Sequence, residues 1–255
     1  MTAWVLLRGL TREARHWGRF PQDLQAASGE VVHALDLPGN GALWREASPW
    51  HVDGMVASAR AQLQAQGAAP PYRLLAMSLG AMVATAWAWQ HPQELAGGVL
   101  LNTSMRPHGR FTQRLRPRQY PRLLALALRP AQDPAWEATV LRITSNRPAP
   151  EGLLRLWEAW RRAGPVSRAN ALRQLVAAAR FRVPDGPPPV PLRVLASRGD
   201  GLVDPACSRR LAQAWGCGFA EHPWAGHDLP LDDPDWVLAQ AVPPPLAGVD
   251  GAGAE

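Results

Sequence analysis

Ser78 closes an apolar run, Leu74-Leu75-Ala76-Met77, and opens a stretch of small and helix-forming residues, Leu79-Gly80-Ala81-Met82-Val83-Ala84. That pattern reads as strand, sharp turn and helix, with the serine on the turn. A serine held there projects its hydroxyl off the carboxyl edge of a sheet. The backbone N–H of Leu79, at the helix N-terminus, is then placed to face a developing oxyanion. The usual elbow is G-x-S-x-G; here Ala76 takes the first glycine position and adds one methyl group where strand and helix pass closely. Serine is also a favoured helix N-cap, so the pentapeptide by itself leaves a plain capping role open.

Two distant segments bear on that choice. Leu192 to Ser197 reads as a buried strand, and its loop, Arg198-Gly199-Asp200-Gly201-Leu202-Val203-Asp204-Pro205, carries two carboxylates. Asp200 leaves the strand end directly and is the first candidate to reach a catalytic histidine, with Asp204 on the same loop as the reserve. A short helix and a further strand-like run then lead to Pro223-Trp224-Ala225-Gly226-His227-Asp228, which sets His227 in a tight loop. Nucleophile, acid and base in the chain order Ser, Asp, His differ from the orders of the chymotrypsin-like and subtilisin-like triads.

A scaffold must bring these three loops to one edge. Strand candidates are Ala3 to Leu7, Glu30 to Leu35, Tyr72 to Met77, Gly97 to Leu101, Leu192 to Ser197 and Gly218 to His222. Helical stretches separate most of them: Arg15 to Ala27, Val52 to Gln66, Leu79 to Gln90, Ser208 to Trp215 and Trp236 to Ala241. Short apolar strands alternating with helices predict a mostly parallel, doubly wound sheet, whose loops at the strand carboxyl ends share one edge. Between Met105 and Pro191 the rhythm stops and proline-broken helical segments take over, which marks an insertion. The sequence 243–255, rich in Pro, Gly and Ala, reads as a disordered tail.

At 255 residues and 47% apolar content, the chain suits one sizeable domain. All 27 basic residues are arginine, against 21 acidic ones, and sixteen of the arginines fall between Arg106 and Arg182. That stretch is strongly basic and the remainder net acidic, which suggests an anionic partner for one face; solvation of helices by the arginines is the plain alternative. Cys207 and Cys217 form no disulfide framework, and both read as small buried hydrophobes in a reducing compartment. There is no secretory leader pattern and no apolar run near the length of a membrane span, so a cytoplasmic protein is expected. No dinucleotide fingerprint, P-loop or zinc spacing occurs, and neither cofactor, metal nor nucleic acid is implied.

Five segments in order carry a resemblance: Leu6-Leu7-Arg8-Gly9-Leu10, Asp36-Leu37-Pro38-Gly39-Asn40-Gly41, Met77-Ser78-Leu79-Gly80, Gly199-Asp200-Gly201-Leu202-Val203 and Ala225-Gly226-His227-Asp228. Over nearly its whole length the chain resembles the α/β-hydrolase superfamily, and within it small bacterial carboxylesterases of the pimeloyl-carrier-protein methyl esterase kind. One segment departs, because Arg8 stands where that family usually has a histidine. The resemblance implies an α/β-hydrolase fold without the family's first antiparallel strand pair. Its core would be 1–104 and 191–242, with a helical cap, 105–190, inserted after the family's sixth strand.

It also implies roles: Ser78 as nucleophile, His227 as base, Asp200 as the orienting acid, and the Leu10 and Leu79 amides as the oxyanion hole. Met77 would shape the acyl pocket. His16 and Trp17, on the first helix, are candidates to touch substrate, with packing as the alternative. The expected function is serine hydrolysis of carboxylic esters through an acyl-enzyme, on a medium-chain or carrier-bound acyl group. By analogy the basic cap would dock an acidic acyl carrier protein. Thioesterase, lactonase or haloperoxidase chemistry on the same fold, and a catalytically silent binding module, are the rivals.

Overall fold

The computed structural model describes residues 2–130, 133 and 135–242; the segment 243–255, expected as a tail, lies outside the described residues. Six strands, β1 (Ala3–Leu7), β2 (Val31–Leu35), β3 (Tyr72–Met77), β4 (Leu95–Leu101), β5 (Leu192–Ser197) and β6 (Gly218–His222), form a sheet in the order β2-β1-β3-β4-β5-β6. Every pairing is parallel. Helices α1 (Phe20–Ser28), α2 (Val52–Ala65) and α3 (Leu79–Gln90) connect the first four strands. Between β4 and β5 come α4 (Phe111–Arg114), α5 (Tyr120–Leu128), α6 (Ala135–Thr144), α7 (Leu153–Ala163) and α8 (Arg168–Arg180). Beyond β5 lie α9 (Ala206–Trp215), α10 (Leu229–Asp232) and α11 (Pro234–Ala241).

β1 is buried along its whole length, as continuous apolar strands are when a parallel sheet is covered on both faces. Alternate side chains go to opposite faces. Val5, Leu7, Leu74 and Ala76 join Met55, Val56 and Ala59 of α2 and Val83 and Trp87 of α3 in one core. Trp4, Leu6, Leu75 and Met77 join Phe20 and Leu24 of α1 and Val237 of α11 in the other. Because β2 and β3 flank β1 on opposite sides, the chain reverses its direction of travel there, and a crevice opens between the loops after β1 and β3. Gly80 keeps that crevice tight: a β-carbon there would lie 2.4 Å from the Leu7 carbonyl oxygen and 2.6 Å from that of Arg8. The start of α3 thus sits directly on the end of β1, where only glycine fits.

One expected element is divided. The helix read over Arg15 to Ala27 is a 3-10 turn, Ala14–Trp17, followed by α1. Gly18 breaks the two apart at φ 57°, a backbone state that side-chain-bearing residues rarely adopt, and Pro21 suits the first turn of the new helix, where its missing N–H is not needed. Among the described residues, no helix is long and apolar enough to cross a membrane.

Candidate active site

Ser78 occupies the turn between β3 and α3 at φ 55° and ψ −115°. This conformation costs a residue with a side chain about 1–3 kcal/mol. Four contacts hold it: its N–H donates to the Leu101 carbonyl at 3.0 Å, and its carbonyl accepts from the Ala81 N–H at 3.1 Å, the Met82 N–H at 3.3 Å and the Thr103 hydroxyl at 3.3 Å. Its hydroxyl makes no capping bond to α3, so the N-cap role left open by the sequence is not the one it plays. The Leu79 N–H begins α3, among the first-turn donors that have no intrahelical partner. Across the crevice, Gly9 packs against the serine so closely that a β-carbon would come within 3.1 Å of Ser78 Cβ. The next residue, Leu10, lines the same cavity as Ser78. The Thr11 N–H is already taken by Gln174 Oε1 at 2.8 Å.

His227 also lines that cavity. Its Nδ1 lies 2.7 Å from Asp200 Oδ2, both side chains being almost fully buried. A carboxylate there keeps the proton on Nδ1 and leaves Nε2 as the acceptor. The other Asp200 oxygen accepts the Leu202 and Val203 N–H groups at 2.7 and 2.9 Å, which fixes the plane of the carboxylate. Asp204 points elsewhere. It accepts the Ala206 N–H at 2.9 Å as α9 begins, with Arg116 3.9 Å away.

Arg8, the departure from the family pattern, is 1% exposed and forms a bidentate pair with Asp228, at 3.0 and 2.5 Å. Its guanidinium also stacks over Trp17 at 4.8 Å. The pair ties the loop after β1 to the residue directly after His227, so the two halves of the site are held at a fixed separation. A buried ion pair is expensive to break from one side, because the surviving charge keeps its desolvation cost, whereas apolar replacement of both partners is nearly neutral. Arg8→Met or Asp228→Leu alone is therefore expected to cost about 3–5 kcal/mol of folding stability, and the double variant far less. Equilibrium denaturation of the three variants measures this; equal, additive losses would contradict it.

Other supports join residues far apart in the sequence. Asn102, at φ 44° just beyond β4, donates through Nδ2 to the Gly226 and His227 carbonyls at 3.1 and 2.8 Å and accepts the Ser197 N–H at 2.7 Å. It thereby stitches the ends of β4 and β5 to the histidine loop. Asp232 accepts the Gly226 N–H at 2.6 Å and the Asn146 N–H at 2.9 Å, and bonds the Ser145 hydroxyl, clasping the inserted helices to the same loop. Asn40 donates to the Arg12 carbonyl at 2.9 Å, and Gln174 of α8 donates to Asn40 Oδ1 at 2.8 Å. These bonds explain the Asp36 to Gly41 segment: it braces the loop after β1. A repeated Asn or Asp just past an apolar strand is the one sequence signal that could have pointed to Asn102.

His16 and Trp17 are not among the residues lining the cavity. Their 3-10 turn directs them into packing instead: His16 edges the rings of Trp157 and Trp160, and Trp17 lies against Phe20 and Arg8. Burial, and after it the positive field of Arg12, Arg8 and Arg15, holds the His16 imidazole well below the ordinary histidine pKa. It stays neutral and accepts the Glu13 N–H at Nδ1. Met77 does line the cavity. Cys207 is fully buried, which pushes its thiol pKa up to about 11, whereas Cys217 is only partly buried, unlike the expectation for both.

The cavity has a volume of about 570 Å³ and is overwhelmingly apolar. Leu123, Leu126, Val140 and Ile143 from the inserted helices face Ser78 and His227 from the sheet. Its polar wall includes Arg12, whose Nη1 donates to the buried Glu137 at 2.6 Å. Arg161 of α7 meets the same carboxylate at 3.5 Å, so the loop after β1 is also bound to α6 and α7.

Residues 4–240 match the model of a family described as the alpha/beta hydrolase family. No curated protein matches the chain. Solved structures share its fold at low identity. The enol-lactonase from Burkholderia xenovorans LB400 is 21% identical, with a TM-score of 0.72 over 94% of this chain and 90% of that one. The esterase RhEst1 from Rhodococcus sp. ECU1013 is 19% identical, with a TM-score of 0.74 over 94% of this chain and 88% of that one. An alpha/beta hydrolase fold protein from Burkholderia ambifaria is 19% identical, with a TM-score of 0.70 over 94% and 89%. The family match spans both the serine elbow and the histidine loop, and the chain belongs to the alpha/beta hydrolase family of enzymes.

Proposed function

We propose that this hydrolase cleaves carboxylic esters with an apolar acyl group, through an acyl-enzyme on Ser78. The observation that carries the reading is a strained serine whose hydroxyl is not used for capping, opening on one apolar cavity with a histidine that a buried carboxylate orients. His227 Nε2 takes the Ser78 proton as Oγ attacks the acyl carbon. The tetrahedral oxyanion is received by the Leu79 and Leu10 amides, and the alcohol leaves with the proton returned by His227. Water, deprotonated by the same imidazole, then attacks the acyl-enzyme and releases the acid. Asp200 stabilises the imidazolium in both halves. The activities named for two structural relatives, an esterase and an enol-lactonase, support an ester-type carbonyl as the target. Two unbridged thiols support a reducing, cytoplasmic setting.

A fluorophosphonate, which phosphorylates activated serines, is expected to label the protein once. Peptide mass mapping should place the adduct on Ser78, and His227→Ala should abolish labelling. An unlabelled protein, or an adduct elsewhere, would overturn the acyl-enzyme reading. Among p-nitrophenyl esters, kcat/KM should rise with acyl length as the chain fills the cavity, since each buried methylene contributes about 0.8 kcal/mol.

A further inference from the structure

Large apolar side chains are exposed around the mouth of the cavity. Leu124 and Leu128 of α5 are 62% and 72% exposed, Leu172 and Leu175 of α8 are 55% and 46%, and Phe111 of α4 is 70%. These elements adjoin: Arg168, at the start of α8, donates to the Leu128 and Arg129 carbonyls at 3.2 and 2.9 Å, and the Phe111 ring is 6.3 Å from that of Tyr120 on α5. Leu124, Leu172 and Leu175 line the cavity as well, so its apolar wall continues onto the surface. A helix at a water-facing surface normally has one apolar stripe, yet α5 gives Leu123 and Leu126 to the cavity and Leu128 to solvent. Leu128 and Phe111 lie outside the cavity lining, and a substrate held within would leave them uncovered.

Charge narrows the choice of what covers them. From Thr103 to Gln132 the sequence has seven arginines and no aspartate or glutamate. Arg106, Arg110, Arg118 and Arg122 are exposed. An acidic protein such as an acyl carrier would answer the arginines and leave the leucines wet. A second copy of this chain would bring arginine against arginine. A lipid surface with anionic headgroups answers both features: leucine and phenylalanine enter the boundary between headgroup and acyl chain while the guanidiniums bind phosphate.

We infer that the face formed by α4, α5 and the start of α8 docks on an anionic lipid surface, with the cavity mouth turned toward it. The attachment is peripheral, and it would deliver apolar esters from the lipid phase directly to the cavity. Docking itself does not depend on the Ser78 chemistry, so the two readings fail separately.

Cosedimentation tests it with vesicles of phosphatidylcholine alone and of phosphatidylcholine and phosphatidylglycerol in equal parts. The protein, and equally its Ser78→Ala variant, should bind the mixed vesicles and should bind them at least about tenfold more weakly in high salt or with phosphatidylcholine alone. Phe111→Ser/Leu128→Ser and Arg110→Glu/Arg122→Glu should each weaken binding about tenfold or more, while hydrolysis of a short soluble ester is unchanged. Absence of binding to mixed vesicles overturns the inference. So does binding that neither pair of substitutions reduces, or a dimer, or a complex with an acidic carrier protein, formed through this face by protein that ignores vesicles.

Discussion

Replacing Ser78 with alanine is expected to lower kcat/KM for an activated ester by about four to six orders of magnitude while leaving the fold intact. The substitution removes only Oγ. The backbone at φ 55° is held by bonds from the main chain of Ser78, to Leu101 and from Ala81, Met82 and Thr103, and alanine keeps all of them. No capping bond is lost, because the hydroxyl makes none. Under the proposed mechanism, acyl binding in the cavity and the Leu10 and Leu79 amides remain, which together support only about a thousandfold acceleration over water. Steady-state rates with a p-nitrophenyl ester, read beside the thermal midpoint, separate lost chemistry from lost structure. Activity within about tenfold of the parent would remove Ser78 from the reaction, since no surviving group could replace a covalent nucleophile at that level.

The parts of this site that the sequence makes legible are those whose placement is local. Ser78 and Asp200 follow apolar strands and His227 follows β6, each within a few residues, and parallel strands deliver the loops at their carboxyl ends to one edge. Order along the chain and distance from a strand end therefore translate into position in space. The supports are different in kind. Arg8 and Asp228 are 220 residues apart, and nothing beside either announces the other. Asn102 looks like any polar residue after a strand until its three carbonyl and amide partners are assembled around it. The 3-10 turn defeated periodicity in another way: the apolar spacing runs on through Gly18, but a positive φ there rotates everything before it, and His16 and Trp17 face the protein interior rather than the substrate. The path of the loop after β1 is set by a charge pair and by Gly9, of which only the glycine is visible in the sequence as a family feature.

The two carboxylates on the loop after β5 provide the sharpest test of how position becomes chemistry. Asp200→Asn is expected to lower kcat by about ten-thousandfold with little change in stability. An asparagine there would keep its oxygen toward the Leu202 and Val203 N–H groups, since turning the NH2 toward two donors would leave all of them unsatisfied. The NH2 must then face His227 Nδ1, which can only accept from it. The imidazole proton moves to Nε2, the atom that in the proposed mechanism receives the Ser78 proton, and general-base catalysis would stop while every backbone bond of the loop survives. Asp204→Asn has no such lever. Its oxygen serves the start of α9 and a distant arginine, so the change should cost at most about 1 kcal/mol of stability and leave kcat within about twofold. Equal losses in the two variants would mean that the 2.7 Å contact between Asp200 and His227 holds the loop together without setting the tautomer, and the base would then need another orienting group.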